Sequence, residues 1–350
     1  MCNSGITASR LPIRFSAAGA KRRPVPMMTA PLSAKDGTYR RRLPPWAAIG
    51  AGALVALALL AAACGGGGGP AASRGPGGRI AFVSFRDGQQ EIYLLDLDAG
   101  VEAVNLTDEP GPDIDPDWSP DGKRIAFASQ RLGNLYLFVM NSDGSEVRQL
   151  TEGPGGDLGP RWSPDGKRIA FSRAGSLHVI DADGDNEKLV MAAEPKESAA
   201  PCKGGAFVGG WAPDGGRITY YAASVARQEG QICVVDPDGG EPAVLVDDPG
   251  VLSAEPSWSP DGRSIAFRSI RDGNHDVYVV DVESGEQKRL TSDPGLDIEP
   301  DWSPDGAWIA FASLRSGAPN FDIYIMRADG SDLRRLTTDP AKEGNAAWAP

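Results

Sequence analysis

The sequence predicts an all-β fold: a six-bladed β-propeller of four-stranded blades, its ring closed by the C-terminal strand pairing with the first blade. Three observations predict it. The pentapeptide Trp-Ser-Pro-Asp-Gly recurs whole at 118–122, 162–166, 258–262 and 302–306, with Trp-Ala-Pro-Asp-Gly at 211–215 and Trp-Ala-Pro at 348–350. Successive tryptophans lie 44, 49, 47, 44 and 46 residues apart, the period of one propeller blade. The two ends of the repeat region also complement each other.

Each unit reads in the same order. A segment ends at the Trp, as in Asp-Ile-Glu-Pro-Asp-Trp at 297–302. Ser-Pro-Asp-Gly then makes a turn. Pro presets φ at the second position, Asp tolerates the third and Gly takes a left-handed conformation, giving a hairpin of the type I turn plus bulge kind. The second strand is Ile-Ala-Phe at 125–127, 169–171, 265–267 and 309–311, and Ile-Thr-Tyr at 218–220. A loop, often opening with Arg, leads to an alternating third strand such as Leu-Phe-Val-Met at 137–140. An Asp-Gly turn (143–144, 183–184, 238–239, 329–330) precedes a short fourth strand expected to end in Leu-Thr (150–151, 290–291, 336–337). Four short strands per period make one blade. A Trp and a Pro-Asp-Gly in every copy read as packing and turn residues, since repetition alone does not make a residue catalytic.

Strand material begins ahead of the first full motif. Ile-Ala-Phe at 80–82 matches the second strand, Glu91-Ile-Tyr-Leu-Leu95 the third and Val104-Asn-Leu-Thr107 the fourth. The first strand of this blade stands instead at 345–350, Asn-Ala-Ala-Trp-Ala-Pro. The expectation is that the last segment pairs with the first blade and that Pro350 is no truncation. Closure of this kind removes sheet edges that invite aggregation.

The repeated pattern Asp-x-x-Pro-x-Trp-Ser-Pro-Asp-Gly, Ile-Ala-Phe, Ile-Tyr-Val-Met, Leu-Thr resembles the TolB-type repeat, a bacterial relative of WD repeats, from about Gly77 to Pro350. TolB-type proteins carry an α/β domain before the propeller, and 13 residues between Cys64 and Gly78 leave no room for one. The expectation is a propeller-only relative, to which the role of TolB does not carry over automatically. The same propeller also fronts prolyl-oligopeptidase-like hydrolases; those need a following α/β-hydrolase domain, and this chain ends at the propeller.

Residues 1–63 hold nine Lys and Arg against one acid, and Arg40-Arg41-Arg42 precede an apolar run centred on 51–60. A basic segment followed by an apolar one reads as an export signal. It ends Leu-Ala-Ala-Ala-Cys at 60–64, which resembles a bacterial lipobox, with cleavage before Cys64 and lipidation of its thiol. Residues 64–77 are then a lipidated Cys and Gly-rich tether, and 78–350 the propeller. The competing reading is an uncleaved transmembrane helix, which the apolar stretch is just long enough to form; the arginines would stay inside and the propeller outside either way. Met27 or Met28 is an alternative start to Met1.

The whole chain has a formal net charge of −12, and the part after residue 63 one near −20. Nucleic-acid binding, which needs a basic footprint, is excluded as the function class. Of the four cysteines, Cys2 lies in the discarded segment and Cys64 is the anchor. Cys202 and Cys233 remain in the fourth blade, where export permits a disulfide; the alternative is two unrelated buried thiols.

Catalytic signals are sparse. His178 and His275 are the two histidines, whereas the propeller lyases that this repeat resembles use several around a metal. There is no nucleophile elbow and no phosphate-cradling loop. Asp-Ala-Asp-Gly-Asp-Asn-Glu at 181–187 departs from calcium-loop spacing and coincides with an Asp-Gly hairpin. No catalytic residue, metal site or cofactor is assigned.

Charge recurs in register instead. Acids precede or enter the first strands (Asp113, Asp115, Asp157, Glu255, Asp297, Glu299), and an Arg follows most second strands (Arg86, Arg131, Arg173, Arg271, Arg315). Blade topology puts both sets at one end of the ring, around the channel mouth. They form either a charged binding ring, with Arg86, Asp115, Arg131, Asp157, Arg173, Arg271, Asp297, Glu299 and Arg315 as its candidates, or inter-blade ion pairs that staple the propeller. Irregular loops at 223–230 and 316–321 break the repeat on that face. The function expected is a non-enzymatic, monomeric binding or scaffold module. It would be membrane-anchored at the cell surface or periplasmic face of a bacterial envelope, and would engage an envelope protein or extracellular ligand. The alternative is a propeller-type lyase or hydrolase acting on a glycan or peptide.

Overall fold

The computed structural model describes residues 76–350 apart from 101, 194–201, 203, 225–228 and 316–319. The signal segment, Cys64 and most of the tether lie outside the described residues, as do parts of the irregular loops at 223–230 and 316–321.

The described strands form six separate four-stranded antiparallel sheets. Blade 1 is Glu343–Trp348, Arg79–Ser84, Glu91–Asp96 and Val104–Asn105. Blade 2 is Asp113–Trp118, Arg124–Ser129, Tyr136–Asn141 and Arg148–Gln149. Blade 3 is Asp157–Trp162, Arg168–Arg173, Ser176–Asp181 and Lys188–Met191. Blade 4 is Gly205–Trp211, Ile218–Ser224, Glu229–Val235 and Ala243–Val246. Blade 5 is Ser253–Trp258, Ser264–Ser269, Asp276–Asp281 and Gln287–Arg289. Blade 6 is Asp297–Trp302, Trp308–Ser313, Asp322–Arg327 and Arg334–Arg335. The fold is the six-bladed propeller that the repeat predicts. Its closure pairs Trp348 with Ile80 and Glu343 with Ser84, with a shift in register between Ala81 and Val83.

The Ser-Pro-Asp-Gly turns form as their chemistry dictates. Gly122 has φ 66° and donates its N–H to the Ser119 carbonyl at 2.8 Å, while the Ser119 hydroxyl meets Asp121 Oδ1 at 2.7 Å. Leu-Thr differs from expectation. It lies just past the outer strand in blades 2, 5 and 6. There the Thr side chain takes over the ladder: the Oγ of Thr151, Thr291 and Thr337 each accepts a third-strand N–H at 2.9 Å, from Leu137, Val277 and Ile323. A hydroxyl also has a proton to give, and Thr151 donates it to Asp157 of the next blade at 2.5 Å. Thus the outer strand ends early because a side chain satisfies the next donor.

The core lies between blades rather than within them. Six buried clusters occupy the six seams, one pairing blades 1 and 2 through Ile92, Ala81, Trp118 and Phe127, and another blades 6 and 1 through Ile80, Phe82, Ile325 and Trp308. An arginine at or just before the start of one second strand covers the next blade's Trp in four seams. Arg79 stands over Trp118, Arg124 over Trp162, Arg168 over Trp211 and Arg217 over Trp258, at 5.0, 4.5, 4.8 and 5.4 Å. Ser264 holds that place in blade 5, and Trp302 opposite is only partly buried.

Cys202 and Cys233 are joined in a disulfide, their Cα atoms 6.2 Å apart, within the seam of blades 3 and 4. It ties the connection entering blade 4 to that blade's third strand, across a sequence separation of 31. Replacing both cysteines by Ser should lower unfolding free energy by about 3 kcal/mol. Denaturant melts with and without reductant check this: reductant should destabilise the parent and leave the double variant unchanged.

Candidate functional site

The inner strands are not regular. Each contains a break in pairing just before its Trp, between Ile114 and Asp117, Leu158 and Arg161, Ala254 and Ser257, and Ile298 and Asp301. A bulge bends the strand and re-aims a side chain. Asp115, Glu255, Glu299 and Asn345 there adopt φ of 54°, 56°, 57° and 49°, a region that disfavours non-Gly residues. Pro116, Pro256 and Pro300 follow the acids; Pro lacks an N–H and suits a bulge.

These bulges turn carboxylates inward around a cavity of about 360 Å³. Two stacked layers line it. The first holds Asp115, Gly159, Val208, Glu255, Glu299 and Asn345; the second, one residue before each Trp, includes Asp117, Arg161, Ser257 and Asp301. Every one of the five acids receives a backbone N–H from the next blade or an ion pair. Asp115 accepts from Gly159 at 3.0 Å, Asp117 from Trp162 at 2.7 Å, Glu255 from Glu299 at 2.9 Å, Glu299 from Asn345 at 2.6 Å and Asp301 from Trp348 at 3.1 Å. Arg268 pairs with Glu255 at 2.8 Å. Arg161 donates to the carbonyl of Gly209 in blade 4 at 3.0 Å.

Burial in the ring raises every one of these carboxyl groups. Desolvation pushes Asp117 up to about 7, against the pull of Arg161. Glu299 also rises to about 7, through desolvation first and the charge of Glu255 second. Asp115, Glu255 and Asp301 are raised by desolvation as well. The channel is therefore a site of strained negative charge, five carboxylates against Arg161 and Arg268.

Of the acids the sequence singles out, Asp115, Glu255 and Glu299 line this cavity. The arginines pair elsewhere. Arg131 meets Asp113 at 2.8 Å, Arg173 meets Asp157, Arg315 meets Asp297, Arg86 meets Glu343 and Arg271 meets Asp248 at 2.7 Å. The side chains of Asp113, Asp157, Asp297 and Glu343 are fully buried in these pairs. Each guanidinium also covers aromatic rings of its own blade, as Arg131 does Phe127 and Phe138 at 5.4 and 4.9 Å. The two charged sets therefore separate. The arginine pairs with Asp113, Asp157, Asp297 and Glu343 lie within one blade rather than stapling blades, because their acids begin the inner strand of the sheet whose second strand the Arg ends or closely follows. Within the channel, adjoining blades are stitched by carboxylates that accept backbone N–H groups.

Sequence reasoning passed over Asp117, Arg161 and Asp301, although the signal was present: a polar residue immediately before the Trp. Arg268, Phe207 and Tyr221 carried no repeat signal. The two histidines do not converge. His178 sits 3.0 Å from Glu187, and His275 2.9 Å from Arg268. Burial lowers the pKa of both. Among the described residues no three metal-ligating side chains come together with metal-binding geometry.

A family model described as the TolB beta propeller domain matches residues 69–176 and 172–350. A TolB homolog of Chlorobium luteolum is 32% identical over 214 residues, covering 61% of this chain and 36% of that protein. The Tol-Pal system protein TolB of Legionella pneumophila (strain Corby) is 37% identical over 86 residues, 23% of this chain and 20% of that one. The chain thus spans about a third or less of the length of these curated relatives. The crystal structure of TolB from Acinetobacter baumannii superposes with a TM-score of 0.66 at 25% identity, over 78% of this chain and 67% of that one. Hydrazine synthase of Kuenenia stuttgartiensis gives 0.61 at 18% identity, covering 79% and 47%, a likeness of fold alone.

The two charged sets should respond oppositely to substitution. Arg131→Ala strands the buried Asp113 carboxylate and should destabilise the protein by about 3–5 kcal/mol. Glu299→Gln removes a raised acid. Its penalty on the native state is absent below the unfolded pKa of 4.5 and complete above about 7. Denaturant melts should show this variant more stable than the parent by on the order of 2 kcal/mol at pH 8, discounting for solvent in the cavity, and equal to it at pH 4.

Proposed function

The chain belongs to the TolB β-propeller family, and from that premise we propose that it is a non-enzymatic binding module of the bacterial cell envelope. Cys64 tethers it to the outer face of the membrane, and the channel mouth engages an envelope protein or an extracellular ligand. The observation that carries this reading is the set of channel carboxylates. They are fixed on the inner strands of the scaffold, raised by burial, and open to a cavity of about 360 Å³. Pre-organised charge on a rigid frame is what recognition requires. Relatives that bear the name of the Tol-Pal system support an envelope setting.

One observation favours the second reading, a lyase or hydrolase. Asp117 and Glu299 are held at about 7, the range of a general acid or base at neutral pH. Against it, an oxygen of each carboxyl is already engaged by a backbone N–H of the adjoining blade.

The test is in-cell crosslinking of the tagged protein followed by mass spectrometry. Asp115→Asn and Glu299→Gln serve as channel variants. Arg334→Ala, on the exposed outer strand, is the control; Arg131 and Arg315 are unsuited because they hold their own blades together. One dominant envelope protein should be captured by the parent and the control, and at least about tenfold less by the channel variants. Absence of specific capture, with turnover of peptide or glycan lost in Glu299→Gln, would move the assignment to the enzyme.

A further inference from the structure

The channel is not equally charged all round. Blades 2, 5 and 6 present an acid followed by Pro at the bulge. Blade 4 carries Val-Gly-Gly at 208–210 in the same place, and Gly209 is required there because a Cβ would lie 2.4 Å from the Pro256 ring. Beside it, Phe207 and Tyr221 turn toward the cavity and stack on each other, ring centroids 4.9 Å apart and 17° from parallel. One wall of the cavity is therefore aromatic, and blades 2, 5 and 6 line other sectors with carboxylates.

The built-in cations do not fill the space between. Arg268 is committed to Glu255, and Arg161 to the carbonyls of Gly209 and Pro160. Lys342, which contributes to the field at Glu299, lies over the Phe85 and Phe321 rings at 5.8 and 5.7 Å. Glu299 has no ion-pair partner among the described residues, and its strongest charged neighbours are Glu255 and Asp115, which repel it. The Tyr221 hydroxyl makes no hydrogen bond among the described residues, although it lies in the field of Glu255, Asp115 and Glu299.

We infer that the channel takes an organic cation, an alkylammonium or guanidinium group on an apolar stem, with its charge on Glu299 and its stem on the Phe207–Tyr221 wall. Carboxylate and aromatic faces attract such a group together, through charge and the ring quadrupole. The described carboxylates do not converge with metal-binding geometry, which favours a cation that spreads along the wall over one that gathers ligands about a point. This inference rests on the channel being a binding site, and it deepens that reading by naming the chemistry admitted. A small free amine and a Lys or Arg side chain inserted by a partner share that chemistry.

Binding must also move protons. Glu299 is raised to about 7, and a bound cation favours its ionised form. Complex formation therefore releases protons at pH 6, and affinity rises from pH 6 to pH 8.

Titration calorimetry on the purified protein tests this with n-pentylamine, a glycine-flanked lysine peptide, n-pentanol and calcium chloride, in buffers of differing ionisation heat. The amine or the peptide should bind at one site, more tightly at pH 8 than at pH 6, with protons released at the lower pH. Binding of pentylamine points to a small ligand, and binding of the peptide alone to a partner's side chain; either supports the inference. Affinity should fall by about tenfold or more in Glu299→Gln and several-fold in Phe207→Leu. Glu299→Gln keeps an acceptor for the Asn345 N–H, and Phe207→Leu is an independent second variant should the first perturb the ring. Equal binding of pentanol, binding of calcium alone, unchanged affinity in both variants, or no binding of either cation overturns it. Partner capture without amine binding overturns this inference and leaves the binding-module reading standing. Amine binding without partner capture does the reverse for the protein-partner form of that reading.

Discussion

A propeller blade buries its apolar faces only against the next blade. All six buried clusters lie in seams, so no blade has a core of its own and each depends on its neighbours being in place. Closure by Glu343–Trp348 is what turns a row of such sheets into a ring without a free end. Every other feature follows from this dependence: the Trp that enters the adjoining seam, the arginine that covers it, and the Thr hydroxyl that reaches across to the next carboxylate.

The same dependence creates the channel chemistry. Inner strands converge on the axis, where the backbones cannot pair with one another. The bulges expose N–H groups there, and a buried N–H needs an acceptor. Asp115, Asp117, Glu255, Glu299 and Asp301 supply it from the preceding blade. A carboxylate is a strong acceptor for a backbone N–H, but five of them around one axis repel, and desolvation raises each. The ring thus stores unfavourable charge at its centre as a consequence of how it is stitched. A site of that kind gains from a cationic visitor more than a neutral channel would, because the visitor relieves a penalty already present.

The arginines show how far a repeat can mislead about location. Asp113 and Asp115 are two residues apart, and in sequence they look equivalent. Alternation on a strand sends residues i and i+2 to the same face, but the bulge at Asp115 breaks that rule. Asp113 stays in the blade as the buried partner of Arg131, while Asp115 turns to the axis. The sequence contains the Pro that marks the bulge, but not the φ of 54° that decides where the acid points.

By itself, the sequence determined the fold class, the number of blades, the place of the Trp-x-Pro-Asp-Gly turns and the exchange of strands that closes the ring. These rest on repeated local chemistry: the Pro-Asp-Gly of Trp-x-Pro-Asp-Gly, present five times, turns by its own dihedral preferences, and alternating apolar residues make strands wherever they occur. It also singled out Asp115, Glu255 and Glu299 as acids at one end of the ring. Only the tertiary structure decided which charges pair and which remain in want of a partner. Pairing depends on distances between blades, and local patterning carries no information about distances across an axis. Arg268, Phe207 and Tyr221 belong to no repeat position that marks them. Phe207 and Tyr221 become a wall of the channel where blade 4 carries Val208 and Gly209 in place of an acid and Pro, and that exchange has meaning only once six inner strands face one another.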